Sequence, residues 1–336
     1  MSTDKPQIQM LLGQLEPFAA DLARPDVFEI VVNGPGKVWV ETREGWTVRD
    51  DAAVTYDLLL RLARTAASFS GQSIDESRPI LSAALPGGER VQIVMPPACP
   101  AGTLSVTIRK PSGTRLSLVE LGQGGLFSNV VVAGGGDGVS EADQRLSRLL
   151  ASGDNVAFLA ACVLAKKNII ISGPTGSGKT TVSKGLIELI PRDERIITIE
   201  DTLELVVPQP NHVRLLYSKG GQGVSSVTAK DLLEAALRMR PDRILVQELR
   251  DGAAWDYLRN VNSGHPGSIT TVHANSCKLA FEQLTLLIKE SPGGRDLDRS
   301  DIASLLRQLV DVVVQCRRVG GAFRVTEIYF SGQLAA

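Results

Sequence analysis

Residues 170 to 184 read IISGPTGSGKTTVSK, and no other stretch of the 336-residue chain narrows its possible folds so sharply. An apolar run, Asn168 to Ser172, reads as a buried strand and leads straight into a glycine-rich loop. A helical pattern then runs from Lys179 to about Ile190, where Pro191 stops it. Within the loop, Gly173, four residues, then Gly178, Lys179 and Thr180 match the spacing G-x-x-x-x-G-K-[ST]. Gly173, Gly176 and Gly178 let several backbone N–H groups approach one anion without side-chain bulk. The helix behind them aims its partly positive end at the same point. Pro174, Thr175 and Ser177 complete the loop, Lys179 reaches the β- and γ-phosphates, and the Thr180 hydroxyl ligates Mg²⁺. Thr181 adds a hydroxyl at the α-phosphate. The expected ligand is therefore a nucleoside triphosphate with Mg²⁺.

Composition limits the partners. With 43% hydrophobic and 22% charged residues, the chain reads as an ordinary globular protein, and its length suits two domains. Lys and Arg total 36 against 37 Asp and Glu, and aromatics are only 4%. A binder of nucleic acid favours basic grooves and stacking platforms, so no sequence-specific nucleic-acid contact is expected. The opening MSTDKPQIQM is polar, unlike a signal peptide, and the apolar run Phe158 to Ala165 is too short to span a bilayer. Any membrane contact should be peripheral. Cys99, Cys162, Cys277 and Cys316 form no C-x-x-C pair, which argues for free thiols rather than a zinc site.

The alternation of elements divides the chain. VFEIVVNGPGKVWVETREGWTVRD predicts a β-meander turning at NGPG, Thr55 to Gly71 predicts a helix, and ERVQIVMPP and TLSVTIRKPSG predict two closing strands. This gives an α+β unit over 1–125. Six glycines between Gly122 and Gly136 predict a linker or hinge over 126–150. From 151 to 336, apolar runs (NIIIS, RIITIE, RILVQE, GSITTVHA) alternate with helical segments, the pattern of a mostly parallel α/β sheet covered on both faces.

Ligands of such sheets sit at the carboxyl ends of strands. There the sequence places Glu200, Asp201 and Glu204 after the second run and Glu248 after the third. His265 and His273 flank the fourth. Triphosphate hydrolysis needs one carboxylate to hold Mg²⁺ through water and another to orient the attacking water. Taken singly, Glu204 reads as a solvated or helix-capping acid, Glu248 as a partner for Arg250, and His212 as structural.

Taken in order, GPTGSGKTT, TIEDTLEL, ALRMRPDRILVQELRD and SGHPGSITTVHANS resemble the Walker A, Asp box, Walker B and His box of the secretion ATPase superfamily. The resemblance runs from about Ser152 to Ala280, and GERVQIVMPP and SVTIRKPS are similar to the family's last N-terminal strands. The compact length and the missing four-cysteine module look most like the traffic ATPases of type IV secretion and conjugation systems. Motors for pilus retraction or type II secretion are the alternative, and a nucleic-acid translocase or helicase is a more distant one. The resemblance implies a RecA-like P-loop ATPase domain with an α+β N-terminal domain, assembled as a homohexamer that uses ATP and Mg²⁺ for pilus biogenesis or substrate translocation. It also implies residence at the cytoplasmic face of the inner membrane, beside secretion-channel and coupling ATPase subunits. Position by position, Glu200 or Glu204 would activate water, and Glu248 would hold Mg²⁺ through water opposite Thr180. His273 would couple the γ-phosphate to movement, while Arg90 and Arg109 would extend from the front domain to the nucleotide. Gln247 departs from the glycine usual before the Walker B glutamate.

Overall fold

The computed structural model describes residues 5–111, 117–128, 130, 140–218, 223–250, 252–261 and 264–332. The expected meander is there: β1 (Glu29–Val32), β2 (Lys37–Thr42) and β3 (Gly45–Asp50) pair antiparallel, with Ile30 opposite Val40 and Trp39 opposite Val48. On its other edge β1 takes β6 (Ser105–Arg109), followed by β5 (Arg90–Val94) and β4 (Ile80–Ala84). The strand β4, ILSAA, carries a single β-branched residue, so its pattern is mute, and pairing with β5 makes it a strand. Helix α1 (Lys5–Gln14) and the short α2 (Ala19–Ala23) precede this sheet, and α3 (Tyr56–Phe69) covers it. The Thr55 hydroxyl caps α3 by accepting the Leu58 N–H at 3.1 Å. Leu59, Leu62, Ala63 and Ala66 then pack on Ile30, Ile93 and Ile108.

A short helix, α4 (Leu118–Gln123), follows. The stretch read as a linker over 126–150 includes residues 129 and 131–139, which lie outside the described residues, while its last part forms α5 (Glu141–Ala151) with Leu146 buried.

The second unit is built from α6 (Asn155–Leu164), β7 (Ile169–Ser172), α7 (Lys179–Glu188), β8 (Ile196–Glu200), β9 (His212–Leu216) and α8 (Ala229–Ala236). It continues with β10 (Arg243–Val246), α9 (Ala253–Val261), β11 (Ile269–Val272), α10 (Cys277–Glu290), α11 (Arg299–Leu309), β12 (Val312–Val319) and β13 (Ala322–Phe330). Here the expectation of one sheet from four strands needs correction. The strands form two ladders, β10-β8-β9 and β11-β7-β12-β13, and β9, β12 and β13 had not been read from the pattern. One side-chain and one backbone bond help close the gap between ladders: the Thr271 hydroxyl donates to the Gln247 carbonyl at 3.0 Å, and the Leu249 N–H donates to the Thr271 carbonyl at 2.8 Å. Burial on both faces accounts for the unbroken apolar runs. Ile170, Ile197, Ile244 and Val246 face one layer of helices, while Ile169, Ile171, Ile196 and Leu245 face the other.

The two units meet over polar groups. Arg195, wholly buried, donates to the Met239 carbonyl at 2.9 Å, to Asn33 in the bend after β1 at 2.7 Å, and to Asn211. Arg240 donates to Glu41 at 2.6 Å, and the Leu216 N–H donates to the Ala98 carbonyl at 2.9 Å. Burial pushes the Arg195 guanidinium down to about 9, so it is still charged at neutral pH. Arg195→Met strands these acceptors and should cost about 3 kcal/mol of stability. Urea unfolding measures it, and a loss within error of zero would mean that water replaces the guanidinium.

Candidate functional site

The phosphate loop joins the buried end of β7 to the start of α7. At Gly173 a Cβ would lie 2.5 Å from the Cys316 carbonyl oxygen, so only glycine lets β12 pass this close. Gly178 has φ of 91°, and its missing Cβ leaves room for the Phe323 ring, which would otherwise be 3.0 Å away. No side chain caps α7, which leaves its first N–H groups open to an external acceptor. Lys179 is buried, and its ammonium donates to the carbonyls of Gly173 at 2.8 Å and Pro174 at 3.2 Å. Among the described residues no carboxylate lies within ion-pair distance of it. Burial lowers its pKa, against the pull of Glu248. The Ser177 and Ser183 hydroxyls are buried without partners. A buried cation, orphaned hydroxyls and an open helix end fit a polyphosphate.

Beside the loop is a cavity of about 390 Å³, lined by Thr180, Glu204, Gln247, Glu248, His273 and Phe323 among others. His273 bridges its two sides. The Nδ1 atom lies 3.2 Å from the Lys179 ammonium, which must donate, so the proton is assigned to Nε2, 2.8 Å from a Glu248 oxygen. The other Glu248 oxygen accepts from Arg250, which also donates to Asp201 at 3.1 Å. Burial raises the Glu248 pKa, but the Arg250 hydrogen bond and the Arg250 and Lys179 charges, beside the His273 contact, outweigh it, and the carboxylate stays below its ordinary range. Pairing with Arg250, the bland reading of Glu248, coexists with a place in the cavity. Gln247 lines the cavity too, its amide oxygen buried without a hydrogen bond. Thr180 and Glu248 offer the hard oxygen donors that suit Mg²⁺, which usually completes its shell with phosphates and water.

The two Asp-box glutamates have different surroundings. Glu200 is wholly buried and accepts from Thr198 (2.8 Å), from Arg214 twice (3.0 Å each), and from the N–H groups of Glu204 (2.8 Å) and Leu205 (2.9 Å). Glu204 is exposed and lines the cavity. Glu200 therefore pins the loop that brings Glu204 to the cavity. Arg214 had escaped the sequence reading, since its partner lies on the neighbouring strand. Phe323 escaped too, although Gly320-Gly321 just before it was a legible turn signal.

Thr175, Gly176 and Thr181 line the same cavity. His265 precedes β11 without lining the cavity, and burial lowers its pKa. His212 approaches the Gln209 carbonyl at 2.6 Å, in keeping with a structural role. Arg90 and Arg109 are register partners on β5 and β6, and they line a separate cavity of about 590 Å³ with Leu237 and Arg238. Glu29 stands opposite Arg109 across β1 and β6, with Nε and Oε1 3.3 Å apart. Strand register brings them together across a gap in sequence that no local pattern crosses.

Residues 146–330 match the family described as Type II/IV secretion system protein. The type IV secretion system protein VirB11 of Bartonella henselae is 54% identical over 333 residues, covering 96% of this chain and 93% of its own. Protein VirB11 of Agrobacterium fabrum is 43% identical over 332 residues, covering 97% of this chain and 94% of its own. Among solved structures, the VirB11 ATPase from the Brucella suis type IV secretion system, crystallised in complex with sulphate, superposes with a TM-score of 0.92 at 42% identity. That match covers 98% of this chain and 97% of the other.

Burial, opposed by the largely exposed and screened Arg109, pushes Glu29 up to about 7. A folded pKa above the ordinary 4.5 gives stability that is complete below the unfolded value and lost as pH rises through 7. Relative to Glu29→Gln, the wild type should lose about 3 kcal/mol between pH 4.5 and pH 8. Urea unfolding across that range checks it, and parallel pH profiles would show a carboxylate already ionised at neutral pH.

Proposed function

The chain belongs to the Type II/IV secretion system protein family and is an ATPase of type IV secretion, and on that premise we propose that it works as a homohexameric motor. It drives pilus biogenesis or substrate translocation from the cytoplasmic face of a bacterial inner membrane, against secretion-channel and coupling ATPase subunits. Retraction, type II secretion and helicase readings are set aside, because relatives matched over nearly the whole chain are type IV secretion proteins. Among the described residues no helix is long and apolar enough to cross a membrane.

One observation carries the chemistry: the buried Lys179, the open start of α7 and the acids Glu204 and Glu248 share one cavity. On binding ATP, the Lys179 ammonium exchanges its loop carbonyls for β- and γ-phosphate oxygens, and the loop N–H groups take the rest. The Thr180 hydroxyl and Glu248 would hold Mg²⁺, which would neutralise phosphate charge. Glu204 orients the attacking water and receives its proton, a role closed to Glu200 because both its oxygens are occupied. His273, within reach of both Lys179 and Glu248, senses the γ-phosphate when Lys179 turns to it. Domains 1–125 and 151–336, joined through 126–150, move relative to one another, with α5 riding on the second unit through Leu146. Arg90 and Arg109, which line another cavity, reach nucleotide through that movement or from a neighbouring copy.

Glu204→Gln should leave ATP affinity near wild type and lower kcat about 10²–10⁴-fold, the usual contribution of a positioned base. Lys179→Ala should abolish turnover altogether. Steady-state hydrolysis decides both, and a normal kcat in the Gln variant assigns water activation to another group. Mass measurement by light scattering in ATP and Mg²⁺ should give six copies, and a monomer at every concentration tried contradicts the ring.

A further inference from the structure

The hairpin of β12 and β13 touches the phosphate loop at both of its ends. The strand β12 runs parallel to β7 on the edge opposite β11, with Gln315 level with Ser172. It outruns β7, and past a register shift between Gln315 and Cys316 its Cys316 carbonyl lies against Gly173. The chain reverses at Gly320-Gly321, with φ of 56° and 83°, and β13 returns with Phe323 opposite Arg318. Arg318 donates to the Gly321 carbonyl at 3.0 Å and stiffens the turn. The Phe323 ring thus lies against Gly178 and lines the loop cavity, yet the residue is 54% exposed. An aromatic ring seated on a glycine yet half-exposed among the described residues offers an open stacking face.

The direction of a bound nucleotide follows from the strand order β11-β7-β12-β13. Glu248, His273 and the Lys179 ammonium mark the γ-phosphate end on the β11 side of β7. The start of α7 holds the phosphates, so the nucleoside leaves on the other side, toward the hairpin. We infer that Phe323 is the wall on which the base of the bound nucleoside triphosphate stacks. Gly178 then serves twice, turning the loop at a left-handed φ and seating the ring that holds the base.

This inference rests on the nucleotide site proposed above, and calorimetric titration of the full chain with ATP and with inorganic tripolyphosphate separates the two. Phe323→Ala should weaken ATP about tenfold and leave tripolyphosphate within about twofold. Phe323→Leu, which keeps the apolar bulk without the π face, should fall with the alanine variant. Phe323→Trp should restore ATP affinity, with indole fluorescence changed by ATP and not by tripolyphosphate. Unchanged ATP affinity in the alanine variant overturns the inference. So does an equal loss for both ligands, because the ring would then only prop the loop. Wild-type protein that binds neither ligand removes the nucleotide site itself.

Discussion

Asn168, buried at the foot of β7, ties three strands with one side chain. Its amide oxygen accepts from the N–H groups of Gly267 (3.0 Å) and Ser268 (3.2 Å) at the start of β11. Its amide nitrogen donates to the Leu309 carbonyl at 3.0 Å just before β12, and its own N–H donates to Asp311 at 2.8 Å. Every polar atom of the side chain is used, which in a low-dielectric interior both stabilises the residue and rejects other registers. Register at the foot of β7 sets what stands at its head. With β11 and β12 held level with β7, His273 arrives beside Lys179 and Cys316 beside Gly173. A slip of one residue would turn the His273 side chain to the opposite face.

The charged groups of the second unit gather at opposite ends of the same strands. Arg195 stands immediately before β8, and Glu200 closes it. Arg240 precedes β10, and Glu248 follows it. The feet of these strands hold Asn33, just past β1, and Glu41 of β2, while the heads carry Glu200, which fixes the Glu204 loop, and Glu248, which lines the phosphate-loop cavity. Strands four and five residues long, buried on both faces, are too stiff to bend between these ends. A displacement of the front sheet therefore bears on the site through short rigid elements.

At the cavity itself, each charge is set by what touches it. Glu248 is held ionised by Arg250, His273 and Lys179 against the cost of burial. Glu200 has the same chemistry in a wholly buried setting, where Arg214 and two N–H groups commit it to shaping a loop. Two carboxylates on neighbouring strand ends thus differ in what remains free to meet a water molecule. That difference comes from neighbours far away in the chain and cannot be read from TIEDTLEL.

The sequence by itself determined the phosphate loop, the buried strand before it, the helix after it, and the placing of Glu200, Glu248 and His273 at strand ends. These are local consequences of glycine freedom, apolar runs and residue spacing, which act over a few residues and need no partner. Contact across the chain decided the rest. Splitting of the sheet into two ladders, the pairing of Glu29 with Arg109, the locking of Glu200 by Arg214 and the seat of Phe323 on Gly178 all join residues separated by other elements. Such contacts arise when strand register and packing bring distant side chains to one place, and a lone sequence pattern carries no trace of that distance.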